Sequence, residues 1–376
     1  MNSFSVPDNI ILGSGVIADA VAQMAKFGSS AFIVTGPHVA NSDAVAQLCA
    51  ALRANGVGWT LFAGITGEPT VDMISSGVEA FRVSGSQFII GIGGGSPLDA
   101  AKAIAAMAVN QGSIADFCGK EIGGSLPPVV AIPTTAGTGS EATRFTVITD
   151  STTDVKMLLR GEALVPKMAV VDYSVSLSMP EQVAISTGFD ALTHAIEAFL
   201  SRRANPLTDA LAVSAVRRII GNLQRSVSSV DTDARREMAV AALEAGICIN
   251  NSSVTVVHGM SRPIGALFHV PHGISNAMLL LPCLRDLLPA CRRRMELLAD
   301  AAIGSPDSDA LVDAVAHLAH VCRIPSLQAY GIPAHRFEEL LPKMAADAIA
   351  SGSPANAPKE YSQAQLIDIY RVAFQG

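Results

Sequence analysis

Four side chains of metal-binding type lie in two short segments of the chain. Asp190 and His194 stand four residues apart in GFDALTHAIEAF, and His258 and His272 begin and end the segment HGMSRPIGALFHVPH. A spacing of four residues puts two side chains on the same face of a helix. One carboxylate and three imidazoles form a donor set that can hold a divalent metal. Such an Asp–His pair is also common on solvated helices, but apolar neighbours favour a buried pair that needs a counter-charge or a metal.

The elements that would position these residues change character near residue 179. Before it, short apolar runs alternate with Ala-rich helical patterns, which predicts βαβ units and a parallel sheet. The predicted strands include SAFIVTG, GWTLFAG, QFIIGIGGG, PPVVAIPTT, FTVITD and MAVVDYS. From residue 180 the periodicity is helical, with breaks expected at Pro206, Pro263, Pro282 and Pro325. The sequence therefore predicts an α/β domain at 1–179 and an all-helical domain at 180–376.

The composition and charge of the chain indicate which kinds of molecule it binds. The net charge of −7 without a clustered basic stripe argues against nucleic acid and against an anionic membrane. Six scattered cysteines without CxxC spacing indicate free thiols in a reducing compartment. The first residues lack the pattern of a secretory signal. We therefore expect a cytoplasmic protein whose partner is a small molecule.

A glycine-rich segment, GIGGGSPLDAAKAIA, follows the predicted strand QFII and opens a helix. Glycines here let backbone amides approach a pyrophosphate, and the helix N-terminus adds positive potential. Ser96 is expected to cap the helix, with Asp99 completing a pattern like a capping box. The segment matches neither standard nucleotide fingerprint. The alternative is an ordinary turn between a strand and a helix.

A second loop, PTTAGTGSEATRF, carries the hydroxyls of Thr134, Thr135, Thr138 and Ser140. It follows the predicted strand PVVAI, so in a parallel sheet it emerges at the same carboxyl edge as the glycine-rich segment. Two such loops at one edge favour a nucleotide site. The alternative is that these hydroxyls satisfy backbone groups of the turn.

Four segments in this order, GGGSPLDAAKAIA, PTTAGTGSEAT, DALTHAIEAF and HGM followed after eleven residues by His, resemble the iron-dependent group III alcohol dehydrogenases, which share a dehydroquinate synthase-like fold. The resemblance implies a dinucleotide-binding domain, a helical metal-binding domain and an active site in the cleft between them. It implies hydride transfer between NAD or NADP and a primary alcohol or aldehyde, with a Lewis-acid metal that lowers the pKa of the alcohol. It also implies Fe²⁺, or Zn²⁺ as in some relatives, held by Asp190, His194, His258 and His272.

The resemblance also implies cofactor-binding residues. Those on the pyrophosphate and nicotinamide side are Gly94, Gly95, Ser96 and Asp99, and those on the adenosine side are Thr134, Thr135 and Thr138. Lys156 matches a lysine near the cofactor, although a solvated surface lysine is the alternative. Relatives that prefer NAD often carry Asp where this chain has Gly36, so we expect NADP(H) to be tolerated.

Arg262 departs from the family pattern, because many relatives have a histidine four residues after the third metal ligand. A guanidinium cannot act as a general base, but it can bind a carboxylate, phosphonate or sulfonate at two points. An acidic aldehyde is therefore one hypothesis for the substrate, and a structural salt bridge is the alternative. His269 is a candidate proton carrier or spare ligand, or else a histidine of the pocket wall.

Two further expectations complete the prediction. A lyase of the dehydroquinate synthase type is the alternative function, since it combines a nicotinamide cofactor with a metal on the same fold. Members of the family are commonly dimers or larger, and the segment FSVPDNIILGSG could pair as an edge strand with a second chain. A homodimer or higher homo-oligomer is therefore expected.

Overall fold

The computed structural model describes residues 3–153, 155–177, 179–228 and 231–376. The chain separates into two compact units, Met1–Met179 and Pro180–Gly376.

The first unit contains a six-stranded parallel sheet with the strand order β1-β8-β5-β4-β2-β3. Its strands are β1 (Asn9–Gly13), β2 (Ser30–Val34), β3 (Gly58–Phe62), β4 (Phe88–Gly93), β5 (Val129–Pro133), β6 (Phe145–Asp150), β7 (Val155–Arg160) and β8 (Met168–Asp172). Its α-helices are α1 (Ile17–Met24), α2 (Pro37–Ala40), α3 (Asp43–Ala54), α4 (Val71–Ser84) and α5 (Gly95–Val109). Its 3-10 helices are Ala25–Phe27, Ile114–Phe117, Ser140–Ala142, Glu162–Leu164 and Tyr173–Ser176.

Both faces of the sheet are buried, as the continuous apolar runs of its strands predict. Ile33 of β2 packs in one core cluster with Leu48 of α3. Phe32, the preceding residue, points to the opposite face and packs in a second cluster with Ile104 of α5. The predicted parallel α/β fold is confirmed.

One detail of the predicted sheet is wrong. FTVITD forms β6, but β6 pairs antiparallel with β7 in a separate two-stranded ribbon. A tight turn favours this pairing, since the carboxylate of Asp150 accepts hydrogen bonds from Thr152 and Thr153. The N-terminal segment contributes β1, which pairs with β8 and forms one edge of the sheet, as expected of an edge strand. Its pairing with a second chain stays a prediction.

The second unit is helical throughout its described residues, as predicted. Its α-helices are α6 (Glu181–Leu200), α7 (Pro206–Ser228), α8 (Thr232–Asn251), α9 (Val256–Phe268), α10 (His272–Ile303), α11 (Ser308–Val321), α12 (Leu327–Tyr330), α13 (Ala334–Ala350) and α14 (Gln363–Gln375), with a 3-10 helix at Pro354–Asn356. Helix α10 is long and apolar enough to span a membrane by length and composition, but 61% of its most apolar window is buried inside the protein.

Prolines mark the helix ends less reliably than the sequence predicts. Pro206 begins α7, and Pro325 lies between α11 and α12. Pro263 and Pro282 lie inside α9 and α10, so the breaks expected there are wrong. A proline removes one backbone hydrogen bond from a helix, and the burial of these helices in the core offsets that loss. The non-helical residue within α10 is Cys291 (φ −139°, ψ 27°).

Candidate metal centre and cofactor loops

Helix α6 carries the first two candidate ligands on a buried face. Asp190 and His194 are 3% and 5% exposed, and Asp190 Oδ1 lies 3.8 Å from His194 Nε2. Nearly every residue of α6 from Ala184 onward is buried, because the helix is surrounded by other helices of its unit. A carboxylate held in such a place needs positive charge or hydrogen-bond donors nearby.

Helices α9 and α10 bring the other two candidates to the same oxygen. Asp190 Oδ1 lies 3.5 Å from His258 Nε2 and 3.6 Å from His272 Nε2. Gly273 permits this approach, since a Cβ built there would lie 2.0 Å from the carbonyl oxygen of Ser186 in α6. The start of α10 therefore contacts the backbone of α6, and His272 is set beside Asp190.

Glu197 orients the His258 ring. Its Oε2 lies 2.6 Å from His258 Nδ1, while its Oε1 accepts hydrogen bonds from Thr255 Oγ1 (2.7 Å) and Val257 N (2.6 Å). The Nδ1–H of His258 donates to this carboxylate, which leaves the lone pair of Nε2 directed toward Asp190. The His194 and His258 rings stack with their centroids 4.5 Å apart.

The charges of the cluster stabilise one another. Burial alone would raise the pKa of Asp190, but His194, His272 and His258 hold it well below the ordinary value. Burial likewise opposes ionisation of Glu197, and the contact with His258 still lowers its pKa. In return, burial would lower the pKa of His258, and the two carboxylates raise it. The site therefore keeps anionic carboxylates next to imidazole nitrogens.

The donor set fits a divalent ion. Metal–ligand distances of about 2.0–2.2 Å place the ligand atoms of a tetrahedral site roughly 3.3–3.6 Å apart. The three imidazole nitrogens lie 3.5, 3.6 and 3.8 Å from Asp190 Oδ1, and the ligand atoms of Asp190, His194 and His258 all lie within 4.8 Å of one another. A mixed nitrogen and oxygen set suits Fe²⁺ or Zn²⁺. The side chain of His272 is 43% exposed, so one side of the set is open.

Arg262 lies one helical turn beyond His258 in α9, and its Nη1 donates to Ser353 Oγ at 2.9 Å. No carboxylate of the described residues lies within 4.0 Å of its guanidinium, so the alternative salt bridge is not found there. Burial lowers the pKa of Arg262 and the charge of Glu197 opposes that shift. The pKa of His272 is lowered by burial, by the other two histidines and by Arg262, and the charge of Asp190 opposes this shift. The side chain of His272 is 43% exposed, so solvent weakens the effect.

His269 stands apart from the buried ligands. It ends α9 in the left-handed region (φ 55°) and is exposed. Among the contacts of the described residues, none joins His269 to Asp190 or to the other three candidates.

The two loops of the first unit that are predicted to bind the cofactor adjoin each other. Strands β4 and β5 pair in parallel with Gly93 opposite Pro133, and Thr134 N donates to the carbonyl of Gly93 at 2.8 Å. A Cβ built at Gly95 would lie 2.9 Å from Thr138 Cγ2, and one built at Gly94 would lie 3.5 Å from Thr135 Cγ2. Both loops therefore leave the same edge of the sheet.

The expected cap of α5 is wrong. The residue before the helix is Gly94, without a side-chain cap, and Ser96 lies within the first turn. Asp99 is not part of a capping box either. Its Oδ1 accepts from Ser140 Oγ at 2.5 Å and its Oδ2 accepts from Val147 N at 2.8 Å. Asp99 thus ties the glycine-rich turn to the second loop.

A fully buried lysine extends this network. Lys102 Nζ donates to Ser140 Oγ (2.7 Å), Thr143 Oγ1 (3.1 Å) and the carbonyl of Phe145 (2.8 Å). Burial lowers the pKa of Lys102 to about 8 against the charges of Asp99 and Glu141. Burial also raises the pKa of Glu141 to about 7. Buried charges in a hydrogen-bonded network hold the two loops in one arrangement.

Two further cofactor candidates lie elsewhere in the first unit. Lys156 is in β7, and its Nζ pairs with Glu68 Oε1 at 2.6 Å. Gly36 precedes α2, and a Cβ built there would lie 2.8 Å from the carbonyl oxygen of Ile65. A larger residue at position 36 therefore requires the backbone to shift.

One unit has a doubly covered parallel sheet with small-residue loops at one edge, and the other has a buried carboxylate–imidazole cluster; these features are typical of metal-dependent, nucleotide-linked enzymes. A family model for the iron-containing alcohol dehydrogenases matches residues 7–173, and a model for the C-terminal part of the Fe-containing alcohol dehydrogenase family matches residues 184–374. The chain belongs to the iron-containing alcohol dehydrogenase family, as its motifs predict, and is an oxidoreductase.

Individual relatives span the whole chain. A 1,3-propanediol dehydrogenase of Citrobacter freundii is 34% identical over 386 residues, covering 100% of this chain and 99% of that protein. A crystal structure of a 1,3-propanediol oxidoreductase has a TM-score of 0.94 at 32% identity and covers 100% of both chains. The sulfoacetaldehyde reductase of Bifidobacterium kashiwanohense in complex with NAD⁺ has a TM-score of 0.90 at 26% identity, covering 100% of this chain and 99% of that one. These similarities do not favour the lyase alternative.

Two residues in contact with the candidate metal centre escaped the sequence analysis. Glu197 follows His194 by three positions and Asn276 follows His272 by four, so each shares a helical face with a candidate ligand. That spacing is the signal that could have found them, because ligating side chains are commonly held by hydrogen bonds from neighbouring groups.

Proposed function

We propose that this protein interconverts a primary alcohol and an aldehyde by hydride transfer with NAD(H) or NADP(H), at a metal held by Asp190, His194, His258 and His272. The observation that carries the proposal is the convergence of three imidazole nitrogens on Asp190 Oδ1 within 3.8 Å. A bound Fe²⁺ or Zn²⁺ supplies Lewis-acid polarisation of the substrate oxygen. Glu197 keeps His258 in the tautomer that such an ion requires.

We propose that the cofactor is held by the two adjoining loops of the first unit. The amides of Gly94, Gly95 and Ser96 at the start of α5 suit the pyrophosphate. Asp99 of α5 accepts a hydrogen bond from Ser140 of the second loop and so holds the two loops together. The hydroxyls proposed for the adenosine side are those of Thr134, Thr135 and Thr138, and Lys156 is proposed to lie near the cofactor.

Tolerance of NADP(H) follows from position 36. Gly36 offers no carboxylate to repel a 2′-phosphate. The nearby carbonyl of Ile65 also leaves no room for an acidic side chain at position 36 without a backbone shift. We therefore expect NADPH and NADH both to support turnover, which a comparison of kcat/KM for the two cofactors measures.

The acidic group of an aldehyde is the proposed partner of Arg262. The half-buried guanidinium has a single hydroxyl partner and no carboxylate within 4.0 Å among the described residues, so it is available to pair with an anion. It lies one turn from His258, and its charge reaches His272. A carboxylate or sulfonate on the substrate supplies the missing partner in two-point fashion. The structural similarity to a sulfoacetaldehyde reductase supports this class of substrate. His269, exposed three residues before His272, is the proposed proton carrier to solvent.

The experiment that tests this function is reduction of paired aldehydes of equal length, one neutral and one carrying a carboxylate or sulfonate, by metal-loaded protein. Acidic members are expected to give the higher kcat/KM. In Arg262→Gln that advantage falls by roughly 10–100-fold, as expected for the loss of a charge-assisted hydrogen bond.

Two controls accompany this variant. Ser353→Ala removes the hydroxyl partner but keeps the guanidinium, so it retains the preference for acidic members. Arg262→Lys keeps the charge without the planar fork and retains part of the preference. Equal loss of neutral and acidic turnover in Arg262→Gln would assign Arg262 a structural role. Absence of turnover for every aldehyde in the wild type would contradict the proposed reaction.

We also propose a cytoplasmic homodimer. All six cysteines are free thiols, which suits a reducing compartment. The outer edge of β1 faces away from β8 at the end of the sheet, and Leu12 on this strand is 43% exposed. Light scattering on the purified protein measures the oligomeric state, and a monomer at micromolar concentration would contradict the dimer.

A further inference from the structure

Asn276 lies in α10, one turn after His272, and is fully buried. Its amide nitrogen Nδ2 lies 2.7 Å from Asp190 Oδ1, 3.2 Å from His258 Nε2 and 3.3 Å from His272 Nε2. These atoms belong to three of the four residues that the proposed function assigns to the metal. A neutral side chain thus contacts most of the donor set directly.

Charge fixes the orientation of this amide. With Nδ2 toward the cluster, its hydrogens face a carboxylate oxygen and imidazole lone pairs, all of which accept. The reverse orientation would place two oxygens 2.7 Å apart. Within the part of the chain that the structure describes, Oδ1 of Asn276 is buried without a hydrogen-bond donor. The side chain is therefore held by its contacts with the ligand atoms, even though its oxygen stays unsatisfied.

We propose that Asn276 is a positioning residue of the metal centre, which holds the carboxylate of Asp190 in place as Glu197 holds the ring of His258. Its N–H groups bridge Asp190, His258 and His272 before an ion binds. The ligand atoms are therefore already close together, and binding of the ion needs little rearrangement of these side chains. The proposal rests on the proposed metal site. It adds that affinity for the ion depends on the amide of Asn276 and not on its volume alone.

Two substitutions of similar size separate these roles. Asn276→Leu keeps the branching and the number of heavy atoms, although its methyl groups are bulkier, and it removes every hydrogen bond, so it lowers metal affinity by roughly 10–100-fold, the range for partners of ligating groups. Asn276→Asp keeps the shape, removes the donor and places a second carboxylate beside Asp190. It lowers the melting temperature of the metal-free chain, and its metal-induced rise in melting temperature exceeds that of the wild type. The two variants therefore move metal affinity in opposite directions.

The test is the dissociation constant for Zn²⁺ and Co²⁺ by competition with a chromophoric chelator, together with the melting temperature of the metal-free and loaded chains. Ser275→Ala is the matched control, because Ser275 is buried in the same turn and donates to the carbonyl of His272. This control is expected to bind the ion like the wild type.

The outcomes separate this inference from the proposed function. A wild-type chain that binds neither ion overturns the metal site and this inference together. A wild-type chain that binds while Asn276→Leu binds within threefold of it overturns the positioning role alone, since packing is then sufficient. If Asn276→Leu does not fold, Asn276→Asp decides the question. A metal-free melting temperature equal to that of the wild type would then overturn the proposal.

Discussion

Replacement of Glu197 by Gln tests the tautomer on which the metal centre depends. Glu197 is 2% exposed and His258 is 3% exposed, so water cannot replace a lost partner. The carboxylate accepts three hydrogen bonds, from His258 Nδ1 on one oxygen and from Thr255 Oγ1 and Val257 N on the other. Glutamine has one carbonyl oxygen and can face one side with it.

Either orientation of the new amide has a definite consequence. If the oxygen faces Val257, the NH₂ group faces His258 Nδ1, and the ring proton moves to Nε2, the atom that faces Asp190. If the oxygen faces His258, the NH₂ group meets the N–H of Val257 and leaves a buried donor unpaired, at a cost of about 1–3 kcal/mol. The expected loss of metal affinity is roughly 10–100-fold, or about 1.4–2.7 kcal/mol at 1.36 kcal/mol per decade.

The assay is a Zn²⁺ competition titration at pH 7.5 with a chelator of known affinity. Thr255→Val is the matched control, because it removes one donor to the same carboxylate and leaves the contact with His258 intact. We expect this control to bind within a few-fold of the wild type. A Glu197→Gln chain that binds Zn²⁺ as tightly as the control would refute the role assigned to Glu197.

Two further predictions concern close packing and buried charge. Gly273→Ala puts a Cβ against Ser186 and displaces the start of α10. This change should lower the free energy of unfolding by about 1–3 kcal/mol and weaken metal binding. The control Gly221→Ala, on an exposed face of α7, should do neither. Calorimetry measures the stability of each variant, and the Zn²⁺ titration measures its metal affinity. Burial raises the pKa of Glu141 from 4.5 to about 7, so between these values the folded chain keeps a proton that the unfolded chain releases. Stability therefore falls as pH rises from about 5 to 7, by up to about 3 kcal/mol, and Glu141→Gln removes this dependence. Urea unfolding of both chains at several pH values measures it, and parallel profiles would contradict the shift.

The fold was predictable where the sequence pattern and the packing agree. Strands β2, β4 and β5 are short apolar runs bounded by glycine or proline, and parallel burial on both faces produces that pattern. Strands β6 and β7 instead mix apolar with polar residues and are only partly buried. That pattern fits an edge strand of the sheet as well as a separate ribbon, so the pairing itself is not revealed by the residue types. The expected breaks at Pro263 and Pro282 failed because tertiary packing overrides a local preference.

The metal centre was predictable as a donor set but not as a hydrogen-bonded cluster. The types and spacing of Asp190 and His194 indicate one helical face, and motif resemblance adds His258 and His272. The partners that hold them come from contacts over long separations in the chain, such as Asn276 with Asp190. The role of Asp99 in joining two loops also depends on such a contact, with Ser140, which local capping rules do not anticipate.

The most direct measurement of the central claim is metal binding by the wild-type chain and by His258→Ala, followed in the same samples by aldehyde-dependent oxidation of NADH. We expect the wild type to bind one Fe²⁺ or Zn²⁺ per chain and to turn over. His258→Ala, with its fold retained by circular dichroism, should lose both the ion and the activity. Unchanged metal binding and unchanged turnover in His258→Ala would contradict the assignment of this cluster as the catalytic metal centre.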